Sequence, residues 1–345
     1  MHYVGIDLHK AHSQICVMDS KGVVVSEQRV ATKAERLGEV LGELPDARVL
    51  LEASGMSEWA ARVIEGLGKH EVIVGDPGFA LMYGARNKRV KTDLRDARAL
   101  AEACRVGTYR KSYRSSDRDM TMRRNVLVRR VLVESRARMI NTLKGCLRQL
   151  GISVPSGGAE KLVDRVRGIE LPEHLLATIE PLLGSMTALN KEIAGCDVAL
   201  GRLAKESTMP ALLLTAPGIG PVTATMFASV IGDASRFHDA HQVDAYIGLV
   251  PSEHSSGERQ VRGRITKAGN SYLRALLIQA AVRLLRCRPP EARQLWEWAQ
   301  KIGERRGKKI ARVALARRLA GVLFAMMRDK NPYVPMRTPA VATAA

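Results

Sequence analysis

The stretch HYVGIDLHK (residues 2–10) places apolar residues at alternate positions, and SQICVMD (13–19) and VVVSEQRV (23–30) are further short β-rich runs. The turn Asp19-Ser20-Lys21-Gly22 separates the last two. Three such runs joined by tight turns predict an antiparallel meander. AERLGEVLGEL (34–44) then switches to helical spacing, RVLLEAS (48–54) reads as a buried strand, SEWAARVIEGLG (57–68) as a helix and EVIVGDP (71–77) as a strand ending at Pro77. A last helix starts near Asp93 and runs through LRDARALAEACRVG to Gly107. Three strands, then helix, strand, helix, strand, helix, predict an α/β layer whose later strands are added in parallel through the helices.

Hydrophobic residues make up 46% of the 345 residues and aromatic ones only 4%, so the cores must be aliphatic. The formal net charge of +19 points to a polyanionic partner, most simply nucleic acid. A merely basic, ribosome-like protein would share that charge. The five cysteines are scattered and form no CxxC pair, which argues against a zinc ribbon or a disulfide framework. No apolar run reaches 18 residues and no signal-peptide core is visible. A soluble, cytoplasmic protein with no membrane partner is expected.

Residues 1–110 form the expected α/β domain, 111–205 a helical region, 206–330 a third and mainly helical domain, and 331–345 a tail expected to be disordered. Within the middle region, Leu182, Met186, Leu189, Ile193, Cys196, Leu200 and Leu203 repeat at 4, 3, 4, 3, 4, 3, a coiled-coil seam. Ile140, Leu143, Leu147 and Leu150 continue a similar seam upstream. Its expected partner is another subunit, giving a dimer or tetramer; an ordinary hairpin within one chain is the alternative. From Arg259 to Arg318 there are 17 Lys and Arg against three Glu, so the basic charge is concentrated there.

Asp7 falls inside the first strand and Glu52 near the end of the fourth; Asp93 and Asp96 open a helix three residues apart and share a face. A carboxylate in an apolar strand is costly unless paired or bound to a cation. If the first and fourth strands are neighbours, all four acids converge at one end of the sheet. Such a cluster suits two hard divalent cations clamping a phosphodiester. The plainer alternatives are a helix N-cap at Asp93 with Asp96 as its capping-box partner, and an edge-strand charge at Glu52.

Pro217-Gly218-Ile219-Gly220-Pro221 has the signature of a helix-hairpin-helix, in which Gly218 and Gly220 let backbone amides face a phosphate. A plain helical corner is the alternative. Further on, Ser255-Ser256-Gly257 is followed by Arg259, Arg262, Arg264 and Lys267. A serine among cations could attack a phosphodiester, although Ser-Ser-Gly is commonly just a loop.

GID (5–7), EASG (52–55) and KTDLRDAR (91–98) together resemble the N-terminal domain of the DEDD insertion-sequence transposases, the IS one-ten family, whose fold is RuvC-like, of the RNase H kind. AYIGLVP (245–251), the Ser-Gly pair, GRITKAGN (263–270) and YLRALL (272–277) resemble the C-terminal transposase domain of the same family. The resemblance implies that Asp7, Glu52, Asp93 and Asp96 are the catalytic metal ligands, with Mg²⁺ (Mn²⁺ as the alternative) at a two-metal site. It implies Ser256 as the nucleophile, with Ser255 the adjacent rival; the residue after the Ser-Gly pair, Glu258, departs from the glycine or serine of many relatives. It also implies donor and target double-stranded DNA as partners, a non-coding bridge RNA as guide, and excision and insertion of a mobile element. A related site-specific DNA invertase and a non-catalytic RNase H-fold binding protein are the competing readings.

Overall fold

The computed structural model describes residues 1–84, 92–253 and 262–335, and its internal contacts divide the chain into two units, Met1–Arg114 and Ser115–Ala345.

In the first unit, β1 (His2–Leu8), β2 (His12–Met18) and β3 (Val24–Ala31) form the expected meander. They are followed by α1 (Ala34–Gly42), β4 (Ala47–Glu52), α2 (Ser57–Glu65), β5 (Glu71–Gly75), a 3₁₀ turn at Ala80–Tyr83, and α3 (Asp93–Val106). The sheet order is β3-β2-β1-β4-β5, antiparallel on the β2 side of β1 and parallel through β4 and β5. That mixed α/β sheet is consistent with the RuvC-like layout expected from the motifs.

Strand alternation sorts the side chains into two layers. Val4, Ile6, Val49 and Leu51 face one core with Leu37 and Leu41 of α1 and Ala60, Ala61 and Ile64 of α2. The intervening positions face the other way: Leu50 packs with Ile73, Met82, Leu100 and Cys104, and Cys16 with Ala97 and Ala101 of α3. Asp7 and Glu52 have the parity of this second face.

The second unit is mostly helical. It comprises α4 (Asp117–Gln149), α5 (Leu162–Arg167), α6 (Glu173–Glu206), α7 (Thr208–Leu213), α8 (Pro221–Ile231) and α9 (Ala240–Tyr246). The short ribbon of β6 (Pro251–Glu253) and β7 (Arg262–Ile265) follows, then α10 (Ser271–Cys287), α11 (Arg293–Arg306) and α12 (Lys308–Asp329). The core joins Phe227 of α8, Leu277 of α10 and Phe324 of α12.

The two long helices α4 and α6 pack against each other. Arg129 Nε donates to Asp197 Oδ1 at 2.9 Å and Arg136 Nη1 to Asn190 Oδ1 at 2.9 Å. Seven residues forward on α4 correspond to seven back on α6, so the pair is antiparallel. This bears on the seam from Leu182 to Leu203, expected to meet another subunit. Met186, Ile193 and Leu200 are buried within the single chain, Met186 in a core with Leu143 and Leu147 of α4 and Leu200 in one with Val126. The hairpin alternative accounts for their burial, because α4 packs antiparallel along that side of α6, while Leu182, Leu189, Cys196 and Leu203 are half-buried.

Candidate active site

The two strand carboxylates lie at the same end of neighbouring strands. β1 and β4 pair in parallel from His2↔Ala47 to Ile6↔Leu51, a constant offset of 45, and Asp7 and Glu52 are the next residue along each strand. Over them lies α3, held close because Gly5 has no side chain: a Cβ there would overlap the Ala97 carbonyl and the Ala101 nitrogen. Direct contact of helix backbone with strand delivers the first turn of α3 to the end of β1. There Asp96 is 6% exposed and Asp7 9%. Thr92, not Asp93, caps the helix, its side chain accepting from Arg95 N at 3.3 Å. The capping alternative for Asp93 is thereby removed, and both aspartates are left as first-turn acids in the favourable field of the helix N-terminus.

Burial pushes the Asp7 carboxyl above its ordinary range; His9 opposes that shift, and the charges of Asp96 and Asp93 add to it. A bound cation would relieve both the burial and the repulsion, and carboxylate oxygens are the donors that hard divalent ions take. The residues present therefore fit a divalent metal.

Two side chains at this site were not singled out from sequence. His9 Nε2 lies 3.1 Å from Asp7 Oδ2 and 3.4 Å from Asp93 Oδ1. Asp7, His9 and Asp93 each offer a ligand atom within 4.8 Å of the others. The i, i+2 spacing of Asp7 and His9 in IDLH was the available signal, since alternate strand positions share a face. The Tyr83 hydroxyl donates to Glu52 Oε2. Burial raises that phenol's pKa most, with the hydrogen bond to Glu52 and then the charges of Glu52, Asp96 and Asp7 adding to it. No sequence signal marked Tyr83; it reaches Glu52 because Gly75, where a Cβ would crowd Met82 Sδ at 2.6 Å, lets the 3₁₀ turn sit against β5. The buried thiols are poor nucleophiles, burial pushing Cys16 and Cys104 up to about 12.

In the second unit, Gly218 adopts φ 78° and faces α10, where a Cβ would meet Leu284 Cγ at 2.9 Å. Gly220 is the N-cap of α8, with Pro221 at the first helical position and open space where a Cβ would point. Arg264 and Lys267 are exposed, Lys267 at φ 58°. Arg262 belongs to β7. Ser255, Ser256 and Arg259 lie outside the described residues.

The feet of the β6–β7 ribbon are closely clamped. Gly248 (φ 73°) and Gly269 (φ 67°) stand where Cβ atoms would overlap the backbone of Ala268 and Tyr246. Arg274, 8% exposed, donates from one nitrogen to the carbonyls of Ile247 (3.0 Å), Gly269 (3.2 Å) and Ala268. Asn270 caps α10 by accepting from Tyr272 N and Leu273 N. The motif residues in GRITKAGN and YLRALL thus fix the ribbon's base. Elsewhere, a cleft of about 620 Å³ is lined by Leu285, Arg286, Arg288, Gln300, Lys308 and Arg312, among others. Its one acid, Glu304, accepts from Gln300 at 3.3 Å.

The DEDD model of the IS110 type, described as a transposase, matches residues 4–152, and the model described as "Transposase IS116/IS110/IS902 family" matches residues 211–297. A probable family 20 transposase of Pseudomonas aeruginosa is 30% identical over 96% of this chain and 98% of its own length. This chain belongs to the IS116/IS110/IS902 transposase family. The transposase of insertion sequence element IS1111A from Coxiella burnetii is 29% identical over 96% of this chain and 90% of its own. That of IS1328 from Yersinia enterocolitica is 29% identical over 93% and 95%. The chain is a DNA transposase/recombinase, and its DEDD domain implies a divalent metal. Among the described residues, no helix is long and apolar enough to cross a membrane.

Proposed function

We propose that this transposase cuts and rejoins DNA with two divalent cations, Mg²⁺ or Mn²⁺, held by Asp7, Glu52, Asp93 and Asp96, and with Ser256 as the nucleophile. The observation that supports the metal site is that β1 and β4 run parallel side by side, with Asp7 and Glu52 following their last register pair and the first turn of α3 close to Asp7. When bound, the cations neutralise charge on the phosphodiester oxygens. Ser256 Oγ loses its proton, forms a bond to phosphorus, and the bond from phosphorus to one deoxyribose oxygen breaks, that oxygen taking up a proton. Rejoining is the same exchange with a new DNA hydroxyl, which releases the serine.

Arg259, Arg262, Arg264 and Lys267 brace the phosphate near the serine, and Gly218 and Gly220 shape a hairpin that meets the DNA backbone. The net charge of +19 supports extensive nucleic-acid contact, and we assign target choice to a non-coding bridge RNA paired with donor and target DNA. The active form is a homo-oligomer, dimer or tetramer. Leu127, Val128 and Val131 on α4, exposed at 55%, 55% and 50%, support an apolar contact between copies.

The test is cleavage of DNA carrying the element's ends. Alanine at any of Asp7, Glu52, Asp93 or Asp96 lowers the rate at least about 100-fold with the fold retained. A folded Asp7→Ala protein cutting at the wild-type rate contradicts the assignment.

A further inference from the structure

We propose that His9 is a metal ligand through Nε2, so that Asp7, His9 and Asp93 form a mixed nitrogen–oxygen site favouring first-row divalent ions over Mg²⁺. This deepens the carboxylate metal site proposed above and rests on it.

Nε2 stands 3.1 Å from Asp7 Oδ2 and 3.4 Å from Asp93 Oδ1. In an octahedral complex with bonds of about 2.1 Å, neighbouring donor atoms lie about 3.0 Å apart. The nitrogen lies about 0.1 Å from that spacing at Asp7, where it is also within hydrogen-bond distance, and about 0.4 Å from it at Asp93.

The backbone of His9 is held from below. His9 follows β1 directly, and its carbonyl accepts from the Thr32 hydroxyl at 2.8 Å. Ser13 Oγ lies 2.7 Å from the same hydroxyl and is fully buried. A hydroxyl has one proton, and Thr32 gives its own to His9, so Ser13 must be the donor to Thr32. A buried serine on β2 and a threonine just after β3 thus fix the backbone of a residue whose ring is 52% exposed. Pinned backbone beneath an accessible ring suits a side chain that meets an entering ion.

Donor chemistry points the same way. Carboxylates alone suit Mg²⁺, Ca²⁺ and Mn²⁺, whereas imidazole is a ligand of transition ions. One nitrogen among the oxygens moves preference away from Mg²⁺ while keeping Mn²⁺ acceptable.

The experiment loads the full-length protein with Mn²⁺ and records pulsed electron paramagnetic resonance for ¹⁴N modulation. Mg²⁺ affinity is read by competition. Wild type is expected to show imidazole nitrogen coupling. His9→Ala and His9→Gln, checked for folding by thermal melting, are expected to lose it; glutamine keeps a hydrogen-bonding group near Asp7 without the ring. Loss of the ring should weaken Mn²⁺ binding at least about tenfold and Mg²⁺ binding less than about threefold. Mn²⁺ bound at an Asp7-dependent site with no nitrogen coupling, or coupling that persists in both variants, overturns the role of His9 alone. Absence of any Asp7-dependent Mn²⁺ binding overturns the metal site itself and this proposal with it.

Discussion

Gly5 and Ala101 meet with no side chain between them: a Cβ on Gly5 would overlap the Ala101 nitrogen, so α3 rests directly on β1. This contact sets how far the first turn of α3 stands from Asp7. Gly5→Val is expected to destabilise the first unit by about 1–3 kcal/mol through overpacking, and to weaken metal binding beyond that by lifting Asp93 and Asp96 away. Thermal melting with and without Mn²⁺ measures both. A variant as stable and as metal-responsive as wild type would show that α3 is placed by other contacts.

Asp7 illustrates a site held against its own stability. Its carboxyl is raised by burial and by Asp96 and Asp93, so the folded chain binds that proton more tightly than the unfolded chain does. The metal-free protein loses this contribution as pH rises through the folded value. Asp7→Asn carries no charge at any pH. It is expected to stabilise the metal-free protein above that pH, with the gap closing as pH falls. Melting curves across acid and neutral pH, in chelator, check the sign. A destabilised Asn variant at neutral pH would mean that the His9 contact outweighs burial.

Tyr83 holds Glu52 by a hydrogen bond, and its phenol stays protonated because burial and the surrounding carboxylates raise its pKa. Tyr83→Phe keeps the ring and removes only the donor. Cleavage is expected to fall about tenfold, with metal affinity lowered by a similar factor. Unchanged kinetics would reduce Tyr83 to a packing residue.

The alternation in HYVGIDLHK and RVLLEAS contained the strands, their faces and the two strand acids, because a period of two is fixed by backbone geometry. It could not contain the register of β1 on β4, which depends on crossover length and packing and which carries Asp7 and Glu52 to the same end of the sheet. Asp93 and Asp96 were legible as a helix start, but the cap falls one residue earlier, on Thr92. Tyr83 meets Glu52 on another element, and nothing local in the sequence encodes that contact, whereas His9 had only its i, i+2 spacing from Asp7 as a signal. The seam from Leu182 to Leu203 was legible as a stripe, whereas what covers it was not, since periodicity records that a face is buried and not by which partner. The roles of Gly248, Gly269 and Arg274 were hidden for the same reason: each meets backbone some 5 to 27 residues away.

Arg286 and Arg312 line the cleft without an ion-pair partner among the described residues. If DNA phosphates are met there, Arg286→Ala with Arg312→Ala should flatten the salt dependence of DNA binding. The slope of log K against log salt would fall by roughly 1.5 to 2 for two lost contacts. An unchanged slope would place the DNA on another face.

Ser256 is proposed to attack the DNA strand at a site served by Asp7, Glu52, Asp93 and Asp96. The most direct measurement is a denaturing gel of end-labelled DNA after reaction with wild type, Ser256→Ala, Ser255→Ala and Asp7→Ala. A covalent protein–DNA band is expected for wild type and Ser255→Ala, and none for Ser256→Ala or Asp7→Ala, all four still binding DNA. A band from Ser256→Ala, or cleavage by Ser256→Ala that still requires Asp7, would contradict it and assign the attack to another nucleophile.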